Sequence, residues 1–473
     1  MRFARTAALL GLALLWWALG PLVLLLAAGS LYFRRVRAWL RPTRRVVLGW
    51  TVAVVVVTGL AVVVPDGWVR IPSGPGAMVT PAYVGRPAIV PVDGSPAPLG
   101  ESPQVTTRSY GVDECREMGF DAPGRGVTLC GGSAAPVLRL LDPGSLRQLA
   151  SKELSPGCEP VLAVAGDRAI VSTDGASLLV VSTSDAEGEP DLTTSAALDL
   201  PDGAGCLTGV GADGRGRVWF SSSAGLVGLV IDGRVRVLDL ADEVDRPLTI
   251  ASDAVYVAGA DALHKVIETG GRPVAAWSAT NDGGGERGSA PVVLSSGMVA
   301  VADVRDPRLQ VVVHRGDTGG TVCRAEVFAD DEGATDGGLV PAGDGLLVLN
   351  SHGYDGPHST LLGRTTTGGV ARVDVVDGGC AVTWESDLDA PSGAPAVADE
   401  VGLAYVYTKR HSWLGANAWY LTAVEVATGR AVWARRTGLG VLRDNHHGDV
   451  ALGPDGAVYV PVLGGFVRVA DRD

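Results

Sequence analysis

From Cys115 onward the chain repeats one phrase: a short apolar strand, a Gly/Asp turn and a second apolar strand. Residues 115–129 (CREMGFDAPGRGVTL) and 206–220 (CLTGVGADGRGRVWF) align residue for residue without a gap. Related openings begin near Cys158, Leu248, Ala290, Gly337, Ala394 and Asp449, so eight starts lie 42 to 57 residues apart. That interval suits a four-stranded sheet repeated around an axis, with length differences absorbed in loops. Residues 254–258 and 457–462 alternate as half-buried strands do. The spacing therefore predicts an all-β fold, an eight-bladed β-propeller over 104–473, with seven blades if one unit is an insertion. The last unit offers only three strands, and its fourth should come from the amino-terminal side, from 87–92 or 104–109, closing the ring and removing exposed edges.

Charge divides the chain. Residues 1–65 carry eight Arg and no acid, whereas the rest supplies all the acidic side chains behind the formal charge of −13. An acidic domain lacks the basic footprint that phosphate backbones require, so nucleic acid is excluded as a partner. Two uncharged apolar runs, 7–28 and 46–64, are each long enough to cross a hydrocarbon core of about 30 Å as a helix. Arg34, Arg35, Arg37, Arg41, Arg44 and Arg45 lie between them. The expectation is a transmembrane helical hairpin over 1–64 that contacts the lipid bilayer through two helices. The Arg loop would be cytoplasmic and the large domain extracytoplasmic, a multi-pass cell-membrane localisation. The alternative is a cleaved signal peptide ending near Ala27 and Ala28. Residues 65–103 contain nine Pro and read as a linker.

Residues 421–433, LTAVEVATGRAVW, hold a strand, a Thr-Gly turn, a second strand and a terminal Trp. The pattern Ala423-x-Glu425-x-x-Thr428-Gly429-Arg430-x-x-Trp433 resembles the tryptophan-docking repeat of the quinoprotein (PQQ-like) propellers. That superfamily includes PQQ-dependent alcohol dehydrogenases and BamB-type assembly lipoproteins. The resemblance implies that Trp433 packs between neighbouring blades while the glycine permits the turn; Trp277 and Trp384 follow partial versions of the same phrase. Family dehydrogenases hold PQQ beside a disulfide between adjacent cysteines. No Cys-Cys pair occurs here, so PQQ is not supported; loop histidines do not by themselves support a metal ion, and no cofactor is expected.

Six cysteines, all beyond the apolar runs, favour disulfides over thiols, and no CxxC spacing supports zinc. Cys115 and Cys130 are symmetric about the turn at 121–124 and should face each other across a hairpin. Cys158 with Cys206, and Cys323 with Cys380, occupy equivalent places in consecutive units and are candidate inter-blade staples; buried free thiols are the alternative.

Five of seven histidines fall late, at His352, His358, His411, His446 and His447. Loops between second and third strands, and loops joining blades, emerge on one face of a propeller. These late loops should therefore form one ligand or partner face with Tyr354, Trp413, Trp419 and Asp449. The same imidazoles are solvated loop residues in the plainer reading. No GxSxG, Walker loop or HExxH occurs. The expectation is a binding or protein-interaction module for another envelope protein or a cell-surface ligand, not an enzyme. The alternative is a quinone-dependent dehydrogenase, or a lyase or hydrolase with His446 or His447 as general base.

Overall fold

The structure, a computed structural model, describes residues 11–12, 29–30, 32–40, 48, 51–52, 80–90, 96–111, 114–175, 177–280, 286–304, 307–411 and 417–472. Eight antiparallel sheets follow one another along the chain, each built on four strands ordered from the centre outward, with a fifth strand in blades 5 and 7. Blade 1 runs from Cys115–Phe120 to Gln148–Glu153, blade 2 from Val161–Ala165 to Pro190–Asp199, and blade 3 from Leu207–Ala212 to Arg234–Asp239. Blade 4 runs from Thr249–Ile250 to Arg272–Thr280, blade 5 from Val292–Val293 to Thr321–Val327, and blade 6 from Leu339–Ala342 to Gly379–Ser386. Blade 7 spans Ala396–Ala398 to Ala431–Leu439, and blade 8 begins at Ala451–Leu452. Gln104–Ser109 completes blade 8 by pairing antiparallel with Gly465–Ala470, as expected from 104–109 and not from 87–92. The chain is thus an eight-bladed all-β propeller.

Each inner strand starts within three residues of a repeat start read from the sequence. The gapless pairing of 115–129 with 206–220 is nonetheless one residue out of register. The equivalent first strands start at Cys115 and Leu207, and the Asp–Arg pairs across the following turns, Asp121–Arg125 and Asp213–Arg217, agree with that offset. Both first strands carry a bulge, between Cys115 and Met118 and between Leu207 and Gly209. Because both strands carry the same extra residue the bulges cancel, and the slip comes from matching Cys206, which stands just before its strand, to Cys115, which begins its own.

The core is a set of layers between adjacent blades. Tyr405, Trp419 and Leu421 of blade 7 bury against Val458, Val460 and Val467 of blade 8. Val301 and Val312 of blade 5 meet Tyr256 and Leu263 of blade 4, and Leu162 and Val181 of blade 2 meet Val127 and Leu138 of blade 1. Period-2 alternation on both faces of each sheet supplies these layers. The expected disulfides are present. Cys115–Cys130 bridges one hairpin, Cys158–Cys206 joins the openings of blades 2 and 3, and Cys323–Cys380 joins the outer strands of blades 5 and 6.

The docking tryptophans act between blades, as the resemblance implies, and the structure adds which glycine receives which ring. Trp277 of blade 4 lies on Gly319, in the outer turn of blade 5, and donates its Nε1–H to Gly316 O (3.2 Å). Trp384 of blade 6 lies on Gly429 of blade 7 and donates to Val426 O (2.9 Å). Within residues 421–433, then, the glycine serves the seam behind and Trp433 the seam ahead. A Cβ at Gly429 would sit 2.4 Å from the Trp384 ring, and the residue holds φ +71, so glycine is required twice over.

Blade 8 has no such turn, because its outer strand comes from the other end of the chain. Gly100 takes the place instead, with its Cβ position 2.5 Å from the Trp433 ring. The segment before Gln104 forms a tether across the seam of blades 7 and 8. Tyr83–Gly85 adds a fifth strand to blade 7 alongside Ala431–Leu439. Asp471 accepts the N–H groups of Leu99 (2.7 Å) and Gly100 (2.9 Å), and Tyr405 donates its hydroxyl to Pro98 O (2.7 Å).

The expectation of a two-helix, multi-pass membrane protein is corrected. Among the described residues no helix is long and apolar enough to cross a membrane. The helix α1 (Arg34–Leu40) has seven residues and carries Arg34, Arg35 and Arg37. Most of the two apolar runs, 7–28 and 46–64, lies outside the described residues. The bilayer contact and the localisation read from those runs therefore have no support here.

Candidate functional site

In a four-stranded meander the loops between second and third strands share a face with the loops that join blades. The central channel opens on this face, and its mouth is lined from several blades. Asp444, His446 and His447 stand on the connection from blade 7 to blade 8. Tyr354 stands on the second loop of blade 6, Asp336 on the connection into blade 6, Arg246 on that into blade 4, and Glu114 on that into blade 1.

Asp444 is fully buried and organises the group. It accepts the hydroxyls of Tyr354 (2.8 Å) and Thr360 (2.7 Å) and the N–H of His446 (2.9 Å). Three donors satisfy a buried carboxylate, which would otherwise be costly. Tyr354 oxygen lies 3.1 Å from His446 Nδ1, and its ring meets the His447 ring edge-on at 5.3 Å. Burial, and then the Asp444 charge, push the Tyr354 hydroxyl well above its ordinary range, so it remains a donor.

His446 and His447 both hold left-handed backbone, at φ 35 and φ 62. Each costs about 1 kcal/mol for a residue with a Cβ. Asp444 Oδ1 holds the first, and Ser392 Oγ holds the second by accepting the His447 N–H (3.1 Å). Asn445 donates its side-chain amide to Ser392 O (2.7 Å) and Gly448 O (3.0 Å), fixing the turn.

Acid–imidazole and acid–guanidinium contacts then cross the mouth. His447 Nδ1 lies 3.3 Å from Asp336 Oδ2, and Arg246 pairs with the same carboxylate. His446 Nε2 lies 3.8 Å from Glu114, which also accepts from Arg116 Nε (2.7 Å); Arg116 reaches Glu159 at 3.0 Å. Burial lowers the His447 imidazole and outweighs the opposing Asp336 charge. Deeper in, Glu117 and Asp449 expose their side chains to the channel yet are encircled by protein. That surrounding, and then Asp449, pushes the Glu117 carboxyl up to about 7. Burial pushes Asp449 up to about 6 against the N–H of Ala394, which donates to it at 2.6 Å.

A raised carboxyl favours the neutral form in the folded state. The stability it contributes is whole below the ordinary Glu range and is lost as pH rises through about 7. Channel water moderates the size of this loss. Glu117→Gln is therefore expected to unfold at a higher temperature than the native protein at pH 8, with the gap closing by pH 5. Thermal unfolding at both pH values checks it, and a gap that widens toward low pH would reverse the sign argument.

The sequence-derived residues separate into two groups. Tyr354, His446 and His447 come together at the mouth, and Asp449 lies in the channel below them. His352 is half-buried, its N–H donating to Asn350 Oδ1 (3.0 Å), and His358 is exposed on the rim of the same loop. His411 is exposed beyond the second strand of blade 7. Trp419 is no part of the face: it is fully buried, stacked on Tyr407 at 5.6 Å, and donates to Gly440 O. It lies in a strand, Ala418–Glu425, that is buried on both faces. Trp413 lies outside the described residues. Glu114, Arg116, Asp336, Asp444 and Arg246 are additional. Their only sequence signal is position just before, or at the start of, an inner strand.

Among the described residues no group of three or more His, Cys, Asp or Glu is placed to hold a metal ion. All six cysteines are in disulfides, so no thiol nucleophile stands at the mouth.

No known family model matches the chain. An uncharacterized protein from Archaeoglobus fulgidus is 29% identical over 90 residues, which is 19% of this chain and 17% of that relative's length. The chain thus matches under a fifth of the curated relative. Among solved structures, the computationally designed Ika8 protein superposes with TM-score 0.53 at 11% identity, covering 78% of this chain and 98% of that one. BamB from Moraxella catarrhalis gives TM-score 0.42 at 16% identity, covering 65% of this chain and 95% of its own. At these identities the likeness is one of fold.

Proposed function

We propose that this propeller is a binding module of the PQQ-like, BamB-type repeat kind whose partner docks at the channel mouth bearing Tyr354, His446 and His447. The observation that carries this reading is the convergence at one opening of polar side chains from four inter-blade connections and the blade 6 loop, tied by His447–Asp336, Arg246–Asp336 and His446–Glu114. Function in such a disc lies in its loops, because the packed sheets contribute no chemistry of their own. Glu114, Asp336 and Asp449, joined by Glu117 above about pH 7, outnumber Arg116 and Arg246 there. The favoured partner accordingly presents a cationic group, such as a basic side chain of another protein or an amine on a surface ligand. The three disulfides suit an oxidising compartment.

Photo-crosslinking residues placed at His358 and, as a control, at Glu187 on the opposite face test the docking face. Crosslinks to one partner from position 358 alone are expected, and His446→Ala with Asp336→Asn should abolish them while thermal unfolding stays unchanged. Equal capture from both faces would discard the mouth as the docking site.

A further inference from the structure

A second concave site lies on the outer rim, where the tether crosses the seam of blades 7 and 8. The cleft encloses about 370 Å³ and is lined by Tyr83, Gly100, Glu101, Gln104, Arg435 and Arg472 among others. That volume is at the lower end of small-molecule pockets.

Two guanidinium groups meet in it with little to neutralise them. Arg435 is half-buried; one of its terminal nitrogens donates to Ala82 O (3.2 Å), and its buried Nε finds no acceptor among the described residues. Burial, and then the neighbouring Arg436, lower the Arg435 affinity for its proton, with no acid opposing them. Arg472 donates to the Gln104 side-chain oxygen at 3.0 Å when that amide is turned oxygen-inward. Asp471, next in the chain, spends its carboxylate on the N–H groups of Leu99, Gly100 and Ser102. Among the described residues, Glu101 is the one acid lining the cleft. A buried cationic donor without an acceptor is costly, and an oxyanion with parallel lone pairs matches a guanidinium fork.

We infer that the cleft under the tether binds a small molecule bearing an oxyanion, a carboxylate or a phosphate, clamped between Arg435 and Arg472. The Tyr83 side chain lines the wall beside the pair and offers a surface for the ligand's uncharged body. The site is independent of the channel mouth, which opens at the centre of the ring.

Isothermal titration calorimetry on the full chain at low salt tests this with three probes: inorganic phosphate, citrate and, as a neutral control, glucose. Phosphate, citrate or both should bind and glucose should not, and whichever anion binds more tightly identifies the source of the oxyanion. Arg435→Met and Arg472→Met should each weaken that binding at least tenfold, and Glu101→Gln should strengthen it by removing a repelling carboxylate. Arg472 is exposed, so Arg472→Met keeps the test decisive even if Arg435→Met fails to fold. No heat with either anion, or an affinity unchanged in Arg472→Met, overturns the assignment.

Discussion

Trp433→Ala is expected to lower the free energy of unfolding by about 3–5 kcal/mol, the usual cost of emptying a buried Trp site. The ring is 1% exposed, packs against Tyr405 at 6.1 Å, and lies directly beneath Gly100 of the tether. Its Nε1 has no acceptor among the described residues, so the loss should be one of packing, with no carbonyl left unpaired. Trp277→Ala offers the contrast, because that ring is only half-buried. Urea unfolding of the two variants should rank Trp433 well above Trp277. A cost below about 1 kcal/mol at Trp433 would mean that the tether does not hold the seam.

Removing the Cys323–Cys380 bridge should cost about 4 kcal/mol in the chain-entropy picture, since it closes 57 residues. The Cys115–Cys130 bridge closes only 15 and should cost about 3 kcal/mol. The longer bridge also ties two blades whose outer edges otherwise meet through side-chain packing and the Phe328 N–H bond to Glu385 Oε1 (2.9 Å), so its loss should loosen that seam first. Paired Cys→Ala variants, compared by urea unfolding and by hydrogen exchange of Gly379–Ser386, measure both effects. If the short bridge proves the costlier, the effect lies in native-state contacts and not in the unfolded chain.

Blade number and blade starts were legible because they rest on local signals, a Gly/Asp turn between two alternating strands, that do not depend on distant partners. Register was less so: the cysteines invite a match of Cys206 with Cys115, yet Cys206 stands just before its strand while Cys115 begins its own. The docking of Trp433 could be expected, but Gly100 as its seat could not, since nothing local links positions so far apart. At the channel mouth, Tyr354, His446 and His447 stood out as polar aromatic residues in late loops. Their acidic counterparts Glu114 and Asp336 sit in connections into blades 1 and 6 and become neighbours only when the ring closes. Trp419 misled because an aromatic residue flanking a loop can equally belong to a strand buried on both faces, and here it does. The apolar runs suggested a hairpin by length alone, a criterion no described helix meets.

The way blade 8 is completed has a consequence for biogenesis. Leu99 and Asp471, which bond across the closing seam, are 372 residues apart in sequence. As a ribosome delivers the chain, Gln104–Ser109 emerges early and must wait for nearly all the rest before its partner Gly465–Ala470 exists. Throughout that wait the nascent chain carries an unsatisfied strand at its leading end and a fresh open edge at its trailing end. Either can pair with the wrong neighbour or with a second molecule. Linking the two sides of the closing seam and reopening the chain between blades 3 and 4 would let the seam form earlier in synthesis and should shorten this vulnerable interval. Contacts would be lost only around the cut, in the connection that carries Asp242 and Arg246.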